Sequence, residues 1–279
     1  MLKENILSSL ERTFVASISQ LAFCCHDAIE EVQNTENLPL LCYENLASAN
    51  LCTIHIHRIC NIFEHLLHQD ESTTFALKLH TFDPEEVLSE LSKSLTDTLS
   101  GYIPIKIDLC SKLGRAFPLT VNQAKFEFAF LNILYCCVRS ANYSRKRTTK
   151  ITLSVKELKD SLVFYIKDNG KAVSPYIVDN FLAGNLPISD SINPYDSLIS
   201  FSFDVAAKII NDMDGAFSYK ALKSGNRYGI TLPKFPQIPA NIINSPASYI
   251  PTRLYFDQIF KDIQEEAIYK KKYYKEAKI

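Results

Sequence analysis

Asp168, Asn169 and Gly170 end a stretch, Leu162 to Lys167, in which polar and apolar or β-branched residues alternate. Such alternation predicts a strand, so the carboxylate is held at a strand end beside a residue without a Cβ. A carboxylate fixed in this way can accept a hydrogen bond from a flat, amine-bearing ring, and the glycine lets backbone approach closely. Asp-Asn-Gly alone is an ordinary turn; what surrounds it decides its meaning. The metal-ligating side chains carry less. Eight cysteines, at 24, 25, 42, 52, 60, 110, 136 and 137, include no C-x-x-C pair, so zinc spacing is missing and buried reduced thiols are expected. His55 and His57 face different sides of a helix, and His65 and His68 share a face without a carboxylate or Cys at ligand spacing. No metal site is expected.

The elements that must position the turn follow from periodicity. Val121 to Ala141 reads as a helix, with Phe126, Phe130, Ile133, Leu134 and Val138 at helical spacing, and strands Lys150 to Val155 and Leu162 to Lys167 follow it. Upstream, Asp83 as N-cap, Pro84 at the first helical position and Glu86 at the third predict a helix running to about Ser100, and Ile103 to Leu109 predicts a first strand. Leu182 to Ser197, rich in Ser, Pro and Asn, reads as a long loop. The result is an α+β domain with a mixed sheet and helices on one face.

Before this domain, two helices are expected, broken at Asn34 to Pro39. The first carries Ile6, Leu10, Phe14, Ile18, Leu21, Cys25, Ala28 and Val32; the second carries Leu46, Ala49, Thr53, Ile56, Cys60, Phe63 and Leu67 in steps of three and four. Two helices cannot enclose such stripes, so two hairpins are expected to pair as a dimeric four-helix bundle. The domains expected are thus a hairpin over 1–72, an α/β domain over 77–234 and, over 235–279, a Pro-rich linker with a basic C-terminal helix carrying Phe256, Ile259, Ile263 and Ala267 on one side.

In order and spacing these features resemble the core of bacterial sensor histidine kinases, a dimerisation hairpin followed by a GHKL-type ATPase domain that is an α/β sandwich. Leu131-Asn132-Ile133-Leu134-Tyr135-Cys136-Cys137 is similar to that family's Asn-bearing helix motif, and Asp168-Asn169-Gly170-Lys171-Ala172 resembles its D-N-G-x-G turn. Ser200-Phe201-Ser202-Phe203 stands where the family has G-L-G-L, Asp214-Gly215-Ala216-Phe217 resembles its G-G-x-I, and Gly229-Ile230-Thr231-Leu232-Pro233 closes the domain. The resemblance implies Asn132, Arg139, Asp168 and Gly170 as cofactor-binding residues if nucleotide is bound. The departures fall on the phosphate and metal end: Cys136 replaces an Asn, a thiol being a poor ligand for Mg²⁺, and Ser200 and Ser202 replace glycines beside the phosphates. No cofactor is expected, with ATP and Mg²⁺ as the alternative.

A phosphoacceptor in that family is a His on the first helix followed by an acidic residue, neutral imidazole being the nucleophile and the carboxylate assisting its proton. Cys25-His26-Asp27 resembles the C-H-D of related histidine phosphotransferases that keep this fold, while a competing register places Gln20 at that position. His26 is therefore the candidate phosphoacceptor, with Asp27 beside it. Charge narrows the partners. With 30 basic and 31 acidic residues, no global field draws nucleic acid or anionic lipid, and the absence of a signal-like or membrane-spanning run makes the expected setting cytoplasmic. The expected function is a degenerate histidine-kinase-like protein of phosphorelay signalling, a phosphotransferase or a scaffold, with a response-regulator receiver domain or a histidine kinase as partner. The alternatives are an active or ATP-sensing kinase with an atypical site, and a structural interaction module.

Overall fold

A computed structural model describes residues 79–110, 118–144, 147–175, 194–234 and 259–268, with isolated positions at 28, 49, 50, 53, 54, 56, 58 and 178. The chain divides into two compact units, Leu77–Phe260 and Met1–Ala76 with Lys261–Ile279.

In the first of these units, β1 (His80–Phe82) precedes α1 (Pro84–Leu99). The expected start of α1 is found: Asp83 is the N-cap and accepts from the Glu85 amide at 2.9 Å, and Pro84 opens the helix. Val87, Leu88, Leu91, Leu95 and Leu99 make the buried stripe. Next come β2 (Ile105–Leu109) and β3 (Leu119–Val121). β2 begins two residues later than the periodicity predicts, because Pro104 intervenes; its carbonyl accepts from the Thr149 amide. β1 and β3 form a two-stranded antiparallel sheet that the periodicity does not announce.

α2 (Gln123–Tyr143) is capped by Asn122, which accepts from the Lys125 amide at 3.0 Å. It begins two residues after the expected Val121, which belongs to β3. Every residue of α2 from 126 to 141 is buried, so this is a core helix covered on all sides, the polar Glu127, Asn132, Arg139 and Ser140 included. Burial pushes the Glu127 carboxyl up to about 7, with Glu90 adding to the effect and a hydrogen bond from Gln123 opposing it.

β4 (Thr149–Glu157), β5 (Ser161–Asp168), β6 (Ala216–Leu222) and β7 (Gly225–Pro233) join β2 in a five-stranded sheet of order β2-β4-β5-β7-β6. β2 runs parallel to β4 and all other pairs are antiparallel, giving the mixed sheet expected. α2 and α3 (Pro194–Asn211) pack on each other and on one face of the sheet. Two aromatic clusters bond the layers: Phe126, Phe130 and Phe164 meet with centroids 4.5 to 5.4 Å apart, and Phe203 meets Phe217, Tyr219 and Tyr228 at 5.6 to 5.7 Å.

α3 corrects one expectation. The loop expected to reach Ser197 gives way to helix at Pro194, and Ser200 to Phe203, the stretch standing where the resemblance has G-L-G-L, lie inside α3. Proline suits the first turn of a helix, and with serines in place of glycines nothing interrupts the helix there. The start of the expected loop, from Leu182 to 193, lies outside the described residues.

In the other unit most of the expected hairpin, its dimer seam and the phosphoacceptor pair His26 and Asp27 lie outside the described residues. Where the seam is described, Thr53 is buried as expected, but Ala49 is exposed and Ile56 is 39% exposed, while Asn50 and Arg58 are buried. In the single chain the described buried positions are thus 50, 53 and 58. Of the C-terminal helix, 259–268 is described, residues 259 and 260 belonging to the Leu77–Phe260 unit, and Ile259, Ile263 and Ala267 are buried as their spacing predicts. Among the described residues no helix is long and apolar enough to cross a membrane.

Where α3 ends, the Gly215 amide donates to the Ile210 carbonyl at 2.9 Å and Asp214 takes a left-handed φ of 56°. Aspartate tolerates this conformation and a β-branched residue does not. Asp214→Val is expected to cost about 1–2 kcal/mol in urea unfolding, whereas Asp214→Gly keeps the wild-type midpoint or raises it.

Candidate nucleotide-type site

Three stretches of backbone converge at the Asp168 end of β5: the last turns of α2, the turn from Asp168 to Val173, and the start of β7. Two glycines make the approach feasible. A Cβ on Gly170 would fall among the Ser140 side chain and the backbone of Ser140 and Ala141, and one on Gly225, at φ 110°, would meet the Asp168 carbonyl. The close approach offered by Gly170 is thus taken by α2, and the Lys171 amide fastens the turn to the Ser140 carbonyl at 3.1 Å. Asn169 secures the other side, accepting from the Lys150 amide at 2.9 Å and donating to the Thr148 carbonyl at 3.0 Å.

At the centre the Asp168 side chain is 5% exposed. Its Oδ1 accepts from the Gly170 amide at 2.7 Å, from Asn226 Nδ2 at 2.9 Å and from Ser140 Oγ at 3.2 Å; its Oδ2 lies 3.1 Å from the same Asn226 amide. Asp168 and Asn226 are direct partners in the β5–β7 register, so the bond crosses the ladder between facing side chains. Asn226 is held in turn. Its Nδ2 also reaches the Lys171 carbonyl at 2.9 Å, and its Oδ1 accepts from the Tyr219 hydroxyl at 2.7 Å and the Val173 amide at 3.3 Å. Tyr219 accepts from that same Val173 amide at 2.9 Å. The Tyr228 hydroxyl, fully buried, lies near enough to Asp168 to favour the carboxylate, at a geometry short of a hydrogen bond.

Burial pushes the Asp168 carboxyl up to about 6, against the hydrogen bonds from Gly170, Asn226 and Ser140 that hold it down. The same burial, with Asp168 nearby, raises the Cys137 thiol and the Tyr228 phenol well above their ordinary values, so neither is an anion at neutral pH. Cys136 is fully buried and its thiol is directed to the Ile199 carbonyl of α3 at 3.9 Å. Among the described residues no cluster of His, Cys, Asp and Glu is placed to hold a metal ion.

Of the residues singled out from sequence, Asp168 and Gly170 meet in one turn. Arg139, 8% exposed, neighbours Ser140 on α2, and Asn132 lies two turns earlier, fully buried and donating to its own helix at the Phe128 carbonyl, 2.9 Å away. Sequence reasoning missed Ser140, Tyr219, Asn226 and Tyr228. A signal existed for two of them: Asn132, Cys136 and Ser140 are spaced by four along α2, and Asn226 follows a glycine at the start of a strand whose inward positions are otherwise apolar or aromatic.

The buried carboxyl has a consequence for pH. The unfolded chain releases the Asp168 proton near 3.8 and the folded chain near 6, so between these values the folded state holds the extra proton. Stability therefore falls as pH rises from about 4 to about 6, and the loss persists above. Asp168→Asn removes this titration. Compared with wild type in urea melts, the variant is expected to gain roughly 2–3 kcal/mol between the two ends of that window, whatever constant offset its altered hydrogen bonds impose.

No protein-family model matches this sequence, and no curated protein matches it either. Solved structures do. Full-length ShkA in complex with AMPPNP is similar at 14% identity and a TM-score of 0.55, over 83% of this chain and 46% of that one. Histidine kinase ThkA in complex with the response regulator protein TrrA is similar at 12% identity and a TM-score of 0.54, over 83% of this chain and 63% of that one. The histidine kinase AdeS of Acinetobacter baumannii is similar at 13% identity and a TM-score of 0.47, over 80% of this chain and 95% of that one. The chain thus spans between about half and two thirds of the first two, and the mixed sheet with α2 and α3 on one face has the fold of the histidine kinase catalytic domain.

Proposed function

We propose that this chain is a degenerate histidine-kinase-like protein that acts in two-component or phosphorelay signalling through protein contacts and does not bind ATP. The observation that carries this reading is the self-occupied Asp168. A carboxylate that recognises an amine-bearing ring needs an open lone pair and a surface; here both oxygens engage Asn226, Oδ1 takes two further donors, and 5% of the residue is exposed. The phosphate and metal end supports the same reading, since Cys136 is buried against α3 and Ser202 is buried inside it. ThkA was solved with a response regulator, which supports a receiver domain as the partner class.

Calorimetry with ATP, with and without Mg²⁺, tests the reading. The expected result is no binding tighter than about 1 mM, which corresponds to roughly 4 kcal/mol. Tight Mg²⁺-dependent binding that disappears in Asp168→Ala would establish an ATP-using kinase instead.

The role within signalling rests on the first helix. We assign the phosphoacceptor to His26, with Asp27 assisting its proton, the phosphoryl group arriving from a phosphorylated receiver domain and the bundle forming as a homodimer. Incubated with a labelled receiver domain, the wild type is expected to take up phosphate, and His26→Gln to lose it while light scattering still gives the mass of two chains. Persistent labelling of the variant excludes His26, and an unlabelled wild type leaves a scaffold.

A further inference from the structure

The face of the sheet opposite α2 and α3 is basic at one end. In the β5–β7–β6 register Lys167, Arg227 and Lys220 stand abreast on three adjacent strands, and one step along, Lys106 and Lys150 stand abreast on β2 and β4. Thr152, between the rows, pairs with both Asp108 and Lys167 and places all five cations on this outward face. Lys106, Lys150, Lys167 and Lys220 are exposed and Arg227 is half-buried. Among the described residues of these strands, one acidic side chain shares the area: Asp108 pairs with Lys106 at 3.0 Å.

Strands in a sheet are about 4.8 Å apart, and like charges directly opposite each other destabilise it. Among the described residues, Asp168, Asn226 and the large buried side chains Phe164, Ile166 and Tyr228 of β5 and β7 point to the other face, and no carboxylate pairs with Lys167, Arg227 or Lys220. An anionic surface laid on the sheet would offset the repulsion and would find a flat floor, since Gly229 and Ser218 pair beside the basic row. We propose that this face docks an acidic segment of a partner protein, its Asp and Glu side chains meeting Lys167, Arg227, Lys220 and Lys150. A protein fits better than nucleic acid for two reasons. The whole chain carries a formal net charge of −1, which gives a polyanion no long-range attraction. The aromatic ring on this face, Tyr165, already lies under the Arg227 guanidinium at 5.4 Å, so it is covered against a stacking base.

The proposal is independent of ATP and of phosphate transfer, and its test uses neither. A labelled oligoglutamate peptide is titrated with the full chain in fluorescence anisotropy at about 0.05 M and about 0.3 M salt. Binding is expected, weaker by about tenfold at the higher salt, and weaker by at least about fivefold in the double variant Lys167→Gln, Lys220→Gln. Lys93→Gln, an exposed lysine of α1, is expected to bind as wild type does. The double variant's melting temperature is expected to match or exceed wild type, because repulsion is relieved. Absent binding, equal affinity in the double variant, or tighter binding of single-stranded oligothymidylate than of the peptide overturns the proposal.

Discussion

The hydrogen bond across the β5–β7 ladder, from the Asn226 amide to the Asp168 carboxylate, is the constraint around which the end of this domain is organised. A carboxylate taken from water costs several kcal/mol unless donors replace the solvent. Those donors come from three separate segments: Ser140 on α2, the Gly170 amide in the turn and Asn226 on β7. For all three to reach one side chain, the backbones must nearly touch, which leaves no room for a Cβ on Gly170 or Gly225. The glycines, the serine and the asparagine are therefore consequences of a single buried charge.

The same internal packing extends along the helices. In α2, Asn132 donates to its own backbone and Cys136 faces α3. In α3, Ile199, Ser202 and Phe203 are buried, and Phe203 joins Phe217, Tyr219 and Tyr228 in an aromatic cluster reaching from helix to sheet. Tyr219 belongs to both systems: its ring meets Phe203 and its hydroxyl orients Asn226. The polar network and the apolar core are thus one packed body.

Local signals in the sequence located most elements of the Leu77–Phe260 unit. The Asp83-Pro84 start of α1, the strands on either side of the turn and the apolar stripe of α2 were legible because each rests on short-range rules of capping and periodicity. The three-residue strands β1 and β3 were not, because their pairing joins residues far apart in sequence. The start of α3 was misplaced because Ser and Pro read as loop residues, although Pro is at ease in a first helical turn. In the candidate site Asp168 and Gly170 stood out by type, whereas Ser140 and Asn226 draw their meaning from register. A single chain states residue types openly and strand pairing only indirectly. Along the second N-terminal helix, spacing identified Thr53 correctly but not the buried Asn50 and Arg58, since polar residues do not mark a buried face.

The hairpin joining β6 to β7 is two residues long, Lys223 and Ser224, and Gly225 pairs directly with Leu222. Side chains on a strand alternate between faces, so a slip of one residue in β7 against β5 exchanges the two sets. Asn226 would leave the interior, and its neighbour Arg227 would be presented to Asp168. A neutral amide facing a carboxylate would become a guanidinium facing one, a buried ion pair with far more stringent geometric demands. The pairing of β7 with β5 thus decides which chemical partner the buried carboxylate receives, and a slip in that one ladder would reach the interior of the domain.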